Sequence, residues 1–218
     1  MISIIHTKVI DIYSDLDAAA QEATQILQEG GVIGYPTETV YGLGCDAFNP
    51  DAVRHIADIK GRDKNKPFLI LLPDSDALSN ITTELPDYVQ ALTRQFWPGP
   101  LTLLVRHQNQ FPDDLTQGQS LIGVRVSSDP FCMAMMQSYN HPVVSTSANP
   151  AGEKPAQSCQ DVIRYFENQI DAILDGGERN SQLPSTILDA STETLRLIRE
   201  GAILSETIEQ HLGRPIER

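Results

Sequence analysis

Apolar positions along the chain fall into two periods, one near 3.6 and one near 2, and the switches between them mark out the predicted elements. Leu16, Ala19, Ala20, Ala23, Ile26 and Leu27 recur at helical spacing, and Gly30-Gly31 supplies a stop. The run Val32-Ile33-Gly34-Tyr35 then reads as a buried strand. Asn49 caps a predicted helix that opens at Pro50, buries Val53, Ile56 and Ala57, and ends near Lys60. Phe68 to Leu72 reads as a strand, and Tyr88, Val89, Leu92 and Phe96 form a helical stripe. Trp97-Pro98-Gly99-Pro100 breaks that helix before a strand from Leu101 to Val105. Further strands are predicted over 121–126, 143–145, 172–174, 186–189 and 195–198, and helices over 131–138, 159–166 and 205–212.

Helices and strands in this order predict an α/β fold built on one sheet. The strands at 101–105 and 121–126 follow each other without a helix between them, so the sheet is expected to be mixed. With 218 residues, 40% of them hydrophobic and 21% charged, the chain is expected to form one domain, residues 1–218, with a sizeable core.

Composition narrows the function classes. A formal net charge of -13 disfavours a dedicated nucleic-acid binder, which needs a basic face. No apolar run approaches the ~20 residues that cross a bilayer. The first residues lack a basic segment followed by a long apolar stretch, so no signal peptide is expected and the cytoplasm is the expected compartment. Cys45, Cys132 and Cys159 are widely spaced and read as packing residues, and the five histidines are equally scattered, so no metal site is predicted.

Against this acidity one cationic run stands out. Five of the sixteen Lys and Arg residues, Arg54, Lys60, Arg62, Lys64 and Lys66, lie between positions 54 and 66. At physiological salt the Debye length is about 8 Å, so a bound anion responds to such a local cluster rather than to the net charge. A phosphate-rich ligand is the expected partner.

Three other segments carry candidate chemistry. Gly42-Leu43-Gly44-Cys45-Asp46-Ala47 fits GxGxxA, but the strand and helix that a dinucleotide site needs do not flank it directly. The preceding Pro36-Thr37-Glu38-Thr39-Val40 reads either as a binding loop for a polar small molecule or as a turn whose threonines satisfy the backbone. Ser145-Thr146-Ser147-Ala148-Asn149 offers four hydrogen-bonding side chains in five residues and no adjacent base, which favours binding over covalent catalysis. Arg125, in the middle of Ile122-Gly123-Val124-Arg125-Val126, needs an anionic partner, either a ligand or an internal carboxylate, and Arg199 poses the same alternative.

In order, PTETVYGLG, KGRDKNKP, WPGPLT, IGVRV, STSANPAG, PSTILD and IREGAI resemble the short-form threonylcarbamoyl-AMP synthases of the YrdC family, over residues 10–212. The resemblance implies a YrdC-like domain with a twisted mixed sheet, flanked by helices, around a deep cationic cavity. It implies condensation of L-threonine, bicarbonate and ATP to threonylcarbamoyl-AMP and pyrophosphate, the first step toward N6-threonylcarbamoyladenosine at position 37 of tRNA. Residue by residue, it places Lys60, Arg62 and Lys66 on the ATP phosphates, with Lys60 and Arg62 catalytic, and Ser147, Asn149 and Arg199 beside the nucleotide. Thr39, Arg125, Ser145 and Ser185 fall around the threonine and its carbamate. Mg2+ is expected to accompany ATP. Downstream tRNA threonylcarbamoyl-transfer proteins are expected partners, with weak tRNA or double-stranded RNA contact. Some archaeal long-form members carry a histidine where this chain has Leu71. The competing readings are a non-catalytic RNA-binding module and a paralogue that adenylates another carbamate.

Overall fold

The computed structural model describes residues 6–61, 67–83, 85–180 and 183–218. Arg62, Lys64 and Lys66 of the cationic run therefore lie outside the described residues. Within them ten strands form one mixed sheet: β1 (Lys8–Asp11), β2 (Ile33–Pro36), β3 (Tyr41–Gly44), β4 (Leu69–Leu71), β5 (Leu101–Arg106), β6 (Leu121–Arg125), β7 (Val143–Ser147), β8 (Ala172–Asp175), β9 (Thr186–Asp189) and β10 (Arg196–Arg199). Their spatial order is β1-β8-β2-β3-β7-β4-β6-β5-β9-β10. The pairs β1·β8, β2·β8, β4·β6 and β5·β9 are parallel, whereas β2·β3, β3·β7, β4·β7, β5·β6 and β9·β10 are antiparallel.

The predicted helices are present, as α1 (Leu16–Gln28), α2 (Pro50–Lys60), α3 (Tyr88–Phe96), α5 (Pro130–Tyr139), α6 (Cys159–Phe166) and α7 (Ser205–Leu212). A four-residue helix, α4 (Asp113–Thr116), was not evident from periodicity, being little more than one turn long. The α2 boundaries follow from local chemistry. The Asn49 side chain accepts hydrogen bonds from Asp51 N and Ala52 N, Pro50 occupies the first turn, and Gly61 closes the helix in the left-handed region at φ 58°.

Two apolar clusters sandwich the sheet. On one face Leu43, Ile70, Leu103, Val124 and Val144 pack against α2, α3, α6 and α7 through Val53, Ile56, Leu92, Phe166 and Ile208. On the other, Ile33, Tyr35, Leu71 and Val143 pack against α1 and α5 through Ala23, Leu27, Phe131 and Met135. Cys45 and Cys159 belong to the first cluster and Cys132 to the second, and all three are free thiols.

The glycines of the GxGxxA segment do not form a phosphate-binding turn. Gly42 and Gly44 lie inside β3, paired with Tyr35 and Ile33 of β2. This strand escaped the sequence reading because two glycines in four residues leave no alternating apolar pattern.

Candidate active-site cavity

The second sheet face is only partly covered by α1 and α5, and the uncovered part is a cavity of about 470 Å³. Residues in register across neighbouring strands project to the same side, as do residues two apart along a strand. Leu71 pairs with Arg125 and Leu69 pairs with both Gly123 and Ser145, so Arg125, Gly123 and Ser145 share this face. Gly42 pairs with Ser147, which brings β3 onto the same floor. Glycines and serines, where neighbouring positions carry leucines and valines, leave the hollow.

Thr39, Arg125, Ser145, Ser147, Ser185 and Arg199, drawn from sequence positions 160 residues apart, all line this cavity. Lys60 and Asn149 are not among its wall residues. The Lys60 ammonium, on a residue only 5% exposed, donates to Ser147 O at 2.5 Å and Asn149 O at 2.6 Å, which ties it to the Ser147 wall residue. Asn149 accepts the Ser147 hydroxyl on Oδ1 at 2.5 Å and donates from Nδ2 to Pro150 O and Glu153 O. Arg62 and Lys66 lie outside the described residues, while Pro67, which follows them, lines the cavity.

Arg125 is only 4% exposed. Its NH1 lies 3.2 Å from Glu38 Oε1, an ion pair without hydrogen-bond alignment, and Arg125 Nε and Glu38 Oε1 are both buried without a hydrogen-bond partner. Glu38 Oε2 accepts the Ser127 hydroxyl at 2.5 Å. The internal carboxylate is thus the anionic partner that the structure shows for Arg125, and it leaves the guanidinium Nε without a hydrogen-bond partner. A glutamate within a Thr-rich loop gives no sign in the sequence of which cation it faces, and Ser127 lies in no pattern that points to the site.

Arg199 reaches back along β10 and donates from Nε and NH2 to Ser185 O at 3.2 and 2.9 Å. Burial, and secondarily the positive charge of Arg125, push its pKa below the ordinary value. Two guanidiniums therefore line the cavity while the Glu38 carboxylate pairs with Arg125 alone, so among the described residues the local surplus is positive inside an acidic protein. Ser185 also exchanges a hydrogen bond with Thr102 at 2.9 Å.

The Pro36–Val40 loop divides between the two readings offered for it. Thr37 does the work of a turn residue: its Oγ1 donates to Val40 O at 2.6 Å and accepts from the backbone N–H groups of Thr39 and Val40. Thr39, 3.0 Å from Thr37 Oγ1, faces the cavity. Among the described residues no cluster of three or more His, Cys, Asp or Glu could hold a metal ion. No helix of the described residues is long and apolar enough to cross a membrane.

Comparison with known proteins agrees with this geometry. The family model for Sua5/YciO/YrdC, described as "Telomere recombination", matches residues 25–201. Threonylcarbamoyl-AMP synthase of Marinobacter nauticus is 40% identical over 171 residues, which cover 78% of this chain and 90% of the relative. The Bacillus subtilis protein of the same name is 33% identical over 209 residues, covering 94% of this chain and 60% of the relative. The crystal structure of P. abyssi Sua5 complexed with L-threonine superposes with a TM-score of 0.89 at 29% identity, covering 97% of this chain and 63% of that one. The chain thus spans nearly all of one relative and under two thirds of the longer ones. By motif order, fold and family-model match, it belongs to the Sua5/YciO/YrdC family.

Proposed function

We propose that this chain is an L-threonylcarbamoyladenylate synthase, a nucleotidyltransferase that joins L-threonine, bicarbonate and ATP into threonylcarbamoyl-AMP and pyrophosphate. The observation that carries the reading is the buried Arg125, whose donors stay uncommitted at the wall of a 470 Å³ cavity despite the adjacent Glu38. A buried guanidinium with spare donors is costly unless an anion completes it, and a planar carboxylate matches its fork. The threonine carboxylate serves that role, with the hydroxyls of Thr39, Ser145 and Ser185 around the rest of the amino acid.

The chemistry needs no protein nucleophile. The threonine amine forms a N–C bond to bicarbonate with loss of water, giving a carbamate. A carbamate oxygen then bonds to the α-phosphorus of ATP as the bond to pyrophosphate breaks. Catalysis rests on holding these groups in line and on cations that offset charge developing on the phosphates. Lys60, Arg62 and Lys66 supply those cations, while Ser147, Asn149 and Arg199 hold the nucleotide. Mg2+ would accompany ATP and would supply further neutralisation of the phosphates. A recessed cavity suits the chemistry, because carbamate and mixed anhydride both decompose in bulk water.

The product passes to downstream tRNA threonylcarbamoyl-transfer proteins in the cytoplasm. Direct contact with tRNA is weak in this reading, since a net charge of -13 opposes polyphosphate binding outside the cavity. The experiment is incubation of the pure protein with ATP, labelled bicarbonate and L-threonine. Threonine-dependent pyrophosphate release with a labelled adenylate is expected, and pyrophosphate release indifferent to threonine would falsify the assignment.

A further inference from the structure

The hydroxyls lining the cavity differ in where their protons go. Thr37 gives its proton to Val40 O, so the Thr37 to Thr39 contact is donated by Thr39, which leaves Thr39 only lone pairs for a ligand. Ser147 gives its proton to Asn149 Oδ1, whose assignment is fixed by the two carbonyls that the Asn149 amide donates to. Ser145 is the opposite case. It accepts from the Tyr35 phenol at 2.8 Å, and among the described residues its own O–H has no acceptor.

Tyr35 reaches Ser145 across an intervening strand. Its ring lies over β3, where a Cβ on Gly42 would stand 3.3 Å from Tyr35 Cζ and a Cβ on Gly44 only 2.7 Å from Tyr35 Cε1. The two glycines are thus a slot for the ring. The phenol is fully buried, and burial raises its pKa far above the ordinary value, so it remains a donor at any working pH.

We propose that Tyr35 is a positioning residue that fixes the Ser145 hydroxyl as a one-way donor to an oxygen of the amino-acid substrate. Tyr35 itself never touches the ligand. The inference rests on the synthase reading for the identity of that ligand, and its test separates the two. L-Threonine binding is measured by calorimetry on the wild-type chain, Tyr35→Phe, Ser145→Ala and the double variant.

Tyr35→Phe keeps the slot filled and should weaken L-threonine binding about three- to tenfold, the worth of one hydrogen bond. In the Ser145→Ala background the same change should shift affinity by less than about twofold, because the interaction it serves is already gone. In turnover, Tyr35→Phe should raise KM for L-threonine while kcat and KM for ATP hold. Equal factors in both backgrounds would mean that Tyr35 merely supports the fold, and an unchanged affinity or a wild type that does not bind L-threonine would also overturn the proposal. Threonine binding without threonine-dependent pyrophosphate release would instead remove the synthase reading and leave the cycle to judge Tyr35. If Tyr35→Phe does not fold, Tyr35→Met, whose flexible side chain fills the slot without a donor hydroxyl, takes its place under the same criteria.

Discussion

Arg125 shows how one residue serves both fold and site. It neutralises Glu38, and it keeps donors for an anion, so its substitutions should separate by what they leave behind. Arg125→Lys retains the charge and should leave thermal stability nearly unchanged, while L-threonine affinity falls more than about tenfold because an ammonium cannot reproduce the planar fork. Arg125→Met strands the Glu38 carboxylate, and a buried charge left unpaired costs about 3 kcal/mol. Urea unfolding measures that cost, and Glu38→Gln added to Arg125→Met should recover most of it. A strand arginine flanked by valines announces a buried charge in the sequence. Its partner is invisible there, since Glu38 is 87 positions away and meets it only because β2 and β6 belong to one sheet.

At the scale of elements, the end of α2 is tied to the loop that follows β7. The family resemblance implies a place for Lys60 on the ATP phosphates, and in the structure its ammonium also holds the carbonyls of Ser147 and Asn149. Hydrogen bonds to a charged group contribute about 1.5 to 3 kcal/mol each, so Lys60→Met should destabilise the protein by at least about 2 kcal/mol and weaken ATP binding together. Calorimetric unfolding and nucleotide titration on the same sample check it. Lost ATP binding with unchanged stability would show that Lys60 acts on the phosphates alone. Helix ends such as Asn49-Pro50 and Gly61 were legible because capping is a local hydrogen-bond requirement. β3 was not, because Gly42 and Gly44 owe their place to the ring of Tyr35 on the next strand.

Over the whole molecule, the cavity collects a local positive surplus within an acidic protein, and ligand binding should be read out in global stability. A ligand present at 100 times its Kd stabilises the folded state by about 2.7 kcal/mol, so L-threonine should raise Tm by several degrees and D-threonine should not. Thermal scans with each enantiomer decide this, and equal shifts would argue against a shaped amino-acid site. Element types and most boundaries followed from the sequence alone, since period, caps and breakers act over a few residues. Arg125, Ser145 and Ser147 stand out there as polar interruptions of apolar strands, whereas Ser185 enters only through the family resemblance. Only the tertiary structure decided which of them share a wall. Strand register sets Arg125, Ser145 and Ser147 on one face, the Tyr35 phenol 110 positions away settles the direction of the Ser145 hydroxyl, and the carbonyls of Ser147 and Asn149 hold the Lys60 ammonium. Those choices depend on pairings between residues far apart in sequence, and no local pattern encodes them.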